Sequence, residues 1–260
     1  LNRSRAVRLH DPVMEPEVAM RRRSLLAAAG AAAALHPARP ARAEDPVDVA
    51  LVLAVDVSRS VDADEARLQR LGYRTALVEP QLIQTIRGGM MGSIALAYVE
   101  WAGIEYQRLL LPWTRIGSQQ AAEAWAAALD EAPAASLSWT SISGAIDFSR
   151  RTLEACPFEA TRQVIDVSGD GVNNSGPPAE EARDRAVAEG ITINGLPILN
   201  DRPTFGRRPP VPLDTYYRES VIGGPGAFMI AAEDFTDFGQ AVRRKLIREI
   251  AGLPGGPARG

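Results

Sequence analysis

Histidine, cysteine and lysine are almost missing from this 260-residue chain, and each scarcity excludes a class of chemistry. There are two histidines, His10 and His36, one cysteine, Cys156, and one lysine, Lys245. A single thiol builds no disulfide framework, no zinc finger and no redox Cys-x-x-Cys. Long apolar runs are lacking too. Leu25 to Leu35 is only 11 residues long, against the ~20 a membrane-spanning helix needs, and no later segment is long enough. With 46% hydrophobic and 23% charged residues, the composition suits one globular domain plus an appendage, and it excludes a disordered chain, a collagen-like fibre and a coiled coil.

The appendage is the N-terminus. From Met20 the chain reads Arg21-Arg22-Arg23-Ser24, the Leu25 to Leu35 run, Pro37 and Pro40, then Ala41-Arg42-Ala43. A basic stretch, a short apolar stretch and an A-x-A site in that order form a bacterial export signal. Arg22-Arg23 before Ser24-Leu25-Leu26 resembles a twin-arginine signal, which exports proteins already folded; the other reading is the general secretory route. Residues 1–19 open on Leu rather than Met and are read as an upstream extension. Residues 20–43 are then the signal, and 44–260 form a single domain, periplasmic or secreted. Removing 1–43 takes eight arginines and three acids, leaving 21 basic against 29 acidic side chains, net −8. Such a surface disfavours nucleic acid. Both histidines leave as well, so the mature chain can run no Ser-His-Asp triad and ligate no metal through imidazole.

Val47 to Val57 is a nearly continuous aliphatic run, as in a strand buried on both faces of a parallel sheet. A helix is expected from Asp62 to about Glu79, ended or bent at Pro80. Ser93–Trp101 and Gln107–Trp113 should form an antiparallel hairpin. Further helices are predicted over Ser118–Glu131, Ile142–Ala155, Pro178–Glu189 (closed by Gly190) and Phe235–Ile250, with a short one over Thr215–Val221. The remaining strands are predicted at Gln163–Ser168, Ile191–Leu199 and Ala227–Ala231. The fold class is therefore α/β, doubly wound, a mostly parallel sheet with one antiparallel hairpin and helices on both faces.

In such sheets ligands bind beyond the carboxyl ends of the strands. After the first strand comes Asp56-Val57-Ser58-Arg59-Ser60, whose alternate residues turn one carboxylate and two hydroxyls the same way. Oxygen donors without nitrogen or sulfur suit Mg²⁺, and less selectively Mn²⁺ or Ca²⁺. Thr140 precedes a predicted helix, and Asp170 follows the strand expected beside the first. Alone, Asp-x-Ser-x-Ser is also a common turn in which short polar side chains satisfy the backbone.

With these residues in this order the chain resembles the von Willebrand factor A fold with its metal-ion-dependent adhesion site. The span 47–250 follows that family's element order. The stretches VIDVSGDG, YYRESVIGGPGAF and RRKLIREI look more like an uncharacterised bacterial family of exported von Willebrand A-like proteins. The resemblance implies that Ser58, Ser60 and Thr140 contact the metal directly, and that Asp56 and Asp170 act largely through bound water. Neutral direct ligands leave the ion electrophilic, so that it accepts an Asp or Glu carboxylate from a protein partner. One departure stands out: the family usually has Thr-Asp-Gly where this chain has Gly169-Asp170-Gly171, so a hydroxyl is missing and metal affinity is expected to be weaker or differently tuned.

Partner contacts are expected from Trp139, Asn173 and the loop residues Arg202, Phe205, Arg207 and Arg208. Trp139 is either a lid under the site loop or a rim contact; Asn173 and Asn174 also suit the turn after Asp170; and the basic loop is equally readable as solvated surface. Asp166 lies ~13 Å back along its strand, too far for the same ion, and reads as a buried acid satisfied by an arginine or backbone donors. Cys156 reads as a packed, unreactive thiol. The leading function is a non-enzymatic, divalent-metal-dependent protein-binding module. The alternative is a metal-dependent phosphoryl-transfer hydrolase with Asp56 as nucleophile; such chemistry usually wants an acid two residues on, where Ser58 stands.

Overall fold

A computed structural model describes residues 46–132, 137–199 and 211–252. The expected export signal and residues 202, 205, 207 and 208 lie outside the described residues. The strands are β1 (Val47–Asp56), β2 (Ile94–Trp101), β3 (Gln107–Ile116), β4 (Ala160–Gly169) and β5 (Thr192–Pro197). The helices are α1 (Ala63–Leu77), α2 (Pro80–Arg87), α3 (Gln119–Glu131), α4 (Ile142–Glu154), α5 (Ala179–Ala188), α6 (Leu213–Tyr216) and α7 (Phe238–Ala251), and α6 runs into a π-helical turn, Tyr217–Val221.

The five strands form one sheet in the order β3-β2-β1-β4-β5. β1 pairs in parallel with both β2 and β4, β4 pairs in parallel with β5, and only β2–β3 is antiparallel. β1 is central because its side chains are apolar on both faces. Val49, Leu51, Leu53 and Val55 enter one core layer with Tyr73 of α1, Leu82 of α2, Trp125 of α3 and Phe238 of α7. Ala50, Val52 and Ala54 enter the other with Ile146 of α4, Ala182 of α5 and Tyr217. Strand alternation alone separates the two sets.

The helix expected before Pro80 does end there: α1 stops at Leu77 and Glu79 is extended, and Pro80 then opens α2, a helix the sequence did not suggest, occupying the first turn where its missing N–H is no loss. Two sequence expectations are corrected. Ala227–Ala231 is not a strand of the sheet: it touches β5 only through isolated bridges, Gly195 with Met229 and Ile198 with Ala232. The positive-φ residues Gly224 and Gly226 turn the chain just before it, and the Phe228 N–H goes to the Asn194 side chain at 3.0 Å. The last helix begins at Phe238, not Phe235, because the Asp234 carboxylate accepts the N–H groups of Thr236 and Asp237 at 2.7 and 2.9 Å and holds a turn there. As expected, Gly190 takes a left-handed conformation just past α5.

Candidate metal site

Asp56 and Asp170 follow the carboxyl ends of β1 and β4, the neighbouring strands between which the chain changes direction across the sheet. Strands diverging from such a switch point leave a crevice there. Asp56 ends β1 and is fully buried, and one of its oxygens, Oδ1, accepts the Ser58 N–H at 2.7 Å. That bond closes the turn and brings the Ser58 and Ser60 hydroxyls to 3.0 Å. Ser60 in turn donates to Asp170 Oδ1 at 2.6 Å. Four of the five residues thus form one connected set, buried at Asp56 and open to solvent at Ser60.

Thr140 comes from a separate loop bound to both sides of the crevice. Leu137 N–H donates to the Val57 carbonyl at 3.1 Å, tying the loop to the first turn. Thr140 N–H donates to Asn174 Oδ1 at 2.8 Å, and the Thr140 carbonyl accepts from Asn174 and Ser175 at 2.9 and 3.1 Å. Its hydroxyl lies 3.7 Å from where a Cβ on Gly171 would be, against the Asp170 loop.

Burial pushes the Asp56 carboxyl well above the usual carboxylate range, and the like charge of Asp170 pushes it further. Its second oxygen, Oδ2, is buried and meets no hydrogen-bond donor. Two like carboxylates and the Ser58 and Ser60 hydroxyls drawn together, with the Thr140 hydroxyl beside Gly171, are a donor set that a hard divalent cation satisfies. Among the described residues no three His, Cys, Asp or Glu side chains gather to hold a metal, so any such ion would depend on the hydroxyls.

Trp139 is 54% exposed and stands at φ 71°, the one described non-glycine residue at positive φ. Such exposure does not fit a lid packed under the site loop. Gly103 makes room for it, since a Cβ there would lie 3.0 Å from the Trp139 Cβ. The Asn173 carboxamide is engaged at both ends, accepting from Ser143 N–H at 3.1 Å and donating to the Pro177 carbonyl at 3.0 Å, which is the turn role. Cys156 is buried.

Asp166 is buried as expected, but neither an arginine nor the backbone answers it. Lys245 Nζ of α7 sits 2.6 Å from its Oδ1 and also hydrogen-bonds Glu249. Sequence reasoning passed over this pair because the two residues are far apart along the chain, although a lone lysine in an amphipathic helix was a signal. It also missed Tyr217, whose buried hydroxyl lies near Asp56.

A family model described as "Protein of unknown function (DUF1194)" matches residues 46–254. No curated protein matches the chain. Among solved structures, proximal thread matrix protein 1 from the mussel byssus, in a form with a zinc-occupied MIDAS motif, is 12% identical with TM-score 0.57, covering 80% of this chain and 49% of that one. A von Willebrand factor type A protein from Catenulispora acidiphila is 14% identical with TM-score 0.56, covering 79% and 43%. An aerotolerance-related membrane protein from Bacteroides fragilis is 19% identical with TM-score 0.52, covering 79% and 100%. The chain spans about half or less of the first two. The fold is that of von Willebrand A domains.

Proposed function

Because the chain belongs to the DUF1194 family, described as a protein of unknown function, its activity must be argued from its own site, and we propose that it is an exported, divalent-metal-dependent protein-binding module. Residues 44–260 are its single domain and 20–43 its export signal. Ser58, Ser60 and Thr140 hold a Mg²⁺-type ion through their hydroxyls, with Asp56 and Asp170 behind them. When bound, the ion supplies an open coordination position for an Asp or Glu carboxylate of a protein partner. Trp139 borders that position, and Arg202, Phe205, Arg207 and Arg208 follow β5, whose carboxyl end is on the same sheet edge.

The observation that carries this reading is the linked set Asp56–Ser58–Ser60–Asp170, two buried carboxylates joined through the Ser58 N–H and the Ser58 and Ser60 hydroxyls. The zinc-occupied motif of the mussel protein supports it, since the fold there accommodates a divalent ion. A nucleophilic Asp56 is less well supported: its carboxylate is fully buried, and no acid stands two residues on.

Titrating Mg²⁺ into the mature protein is expected to raise the melting temperature by mass action, by RT ln(1 + [L]/Kd) in free energy. Ser58→Ala together with Asp170→Ala should abolish the rise. A rise that survives in the double variant puts the ion elsewhere. Mn²⁺, Ca²⁺ and Zn²⁺ in parallel titrations rank the metals, and partner capture from periplasmic extract should be lost with EDTA and in Asp56→Ala.

A further inference from the structure

Tyr217 opens the π-helical turn after α6, and its ring occupies the space over two bare positions of the sheet. A Cβ on Gly195 of β5 would meet the ring Cδ1 at 2.7 Å, and a Cβ on Gly169 of β4 would meet the phenol oxygen at 3.1 Å. The ring therefore runs across the sheet from β5 to β4, pointing toward β1. The same Cβ on Gly169 would lie 2.9 Å from Asp56 Oδ2. Two polar atoms thus converge on the space that Gly169 leaves empty. Both are fully buried, and each is without a hydrogen-bond partner: the Tyr217 hydroxyl and Asp56 Oδ2. An orphaned buried polar atom costs about 1–3 kcal/mol, so two side by side on the same glycine call for an explanation.

We propose that Tyr217 is a positioning residue of the metal site, its hydroxyl serving as the donor, directly or through one water, for the Asp56 oxygen that no other group meets. The inference rests on the metal reading above and assigns a role that neither the motif nor its spacing contains. Its physical content is simple. A carboxylate that faces an ion from behind needs its outer oxygen anchored, or it is free to rotate away. Gly169 is then a requirement: any side chain there would displace either the phenol or the carboxylate. The hydroxyl whose absence at residue 169 the sequence flagged is replaced from another element.

The test is Mg²⁺ affinity of the mature protein by calorimetry and by thermal-shift titration, wild type against Tyr217→Phe, with the metal-free melting temperature of each. Phenylalanine keeps the ring across Gly195, so the variant should fold and melt at the same temperature or higher without metal. Its Mg²⁺ affinity should fall roughly tenfold, the lower end of what the loss of an outer-shell partner costs. A merely structural hydroxyl would lower the metal-free melting temperature on its removal and leave the affinity alone. If wild type binds and Tyr217→Phe binds equally well, the assignment of Tyr217 is overturned while the metal site stands. If wild type shows no response to any divalent ion, the metal reading fails, and this inference with it.

Discussion

Lys245, the chain's one lysine, lies fully buried between two carboxylates, 2.6 Å from Asp166 and hydrogen-bonded to Glu249. Glu249 Oε1 also accepts from Asn194 Nδ2 at 2.8 Å. One ammonium cannot neutralise two buried acids. Burial first, and then the like charge of Asp166, lift Glu249 to about 7, with Lys245 and Asn194 pulling the other way. Burial lifts Asp166 too. Arg162 and the Tyr73 and Tyr217 phenols are titratable groups whose fields also reach this cluster. A carboxyl whose folded pKa exceeds its unfolded one stabilises the fold at low pH, and that stability is lost as pH rises through the folded value. Metal-free protein should therefore lose on the order of 2–3 kcal/mol from this group between about pH 5 and pH 8. Glu249→Gln should flatten that part of the profile, read as the difference between variant and wild-type melting temperatures across the range; a parallel profile would refute it. The sequence showed Asp166 as an oddity in an apolar strand. It could not show which cation answered, because the pairing spans two elements remote in the chain.

At the scale of elements, α1 packs on α7 through two glycines, of which only Gly72 lacks room for a side chain. A Cβ on Gly72 would meet Phe238 Cδ1 at 2.9 Å and the Gly239 Cα at 3.1 Å, whereas a Cβ on Gly239 would meet the Gly72 Cα at an ordinary 3.6 Å. Phe238 is wedged here, edge-on to Tyr73 with ring centroids 5.5 Å apart. Gly72→Ala should gain up to about 1 kcal/mol in helix propensity but lose about 1–3 kcal/mol to overpacking, a net loss in urea unfolding. Gly239→Ala should be neutral or stabilising. If both variants behave alike, the contact does not decide. Most elements were legible in the chain, since periodicity separates β1 from α1 and the Asp62–Glu65 capping box marks where the helix starts. The failures were local contests. Pro80 showed where α1 stops but not that α2 starts on it, since the same residue serves both. Ala227–Ala231 has the composition of a strand, but its pairing is limited by an Asn194 side chain that competes for a backbone donor.

Over the whole molecule, the family match begins at residue 46, close behind Ala41-Arg42-Ala43. N-terminal sequencing of exported protein should accordingly start at Glu44, and Arg22→Lys with Arg23→Lys should leave precursor in the cytoplasm; normal export of that variant would favour the general secretory route. Among the described residues no helix is long and apolar enough to cross a membrane. The sequence by itself determined the α/β class, the central position of β1 and the oxygen-only character of the site, because each depends on residue type and short-range spacing. It also excluded a disulfide within the chain, since Cys156 is the one cysteine. The tertiary structure alone decided the Asp166–Lys245–Glu249 cluster, the bracing of Thr140 by Asn174 and the approach of Tyr217 to Asp56 over Gly169 and Gly195. Apart from Lys245–Glu249, one helical turn apart, these contacts join residues tens of positions apart. Which of them meet depends on the order of the strands and the side of the sheet each helix covers, and no local pattern in the chain encodes either.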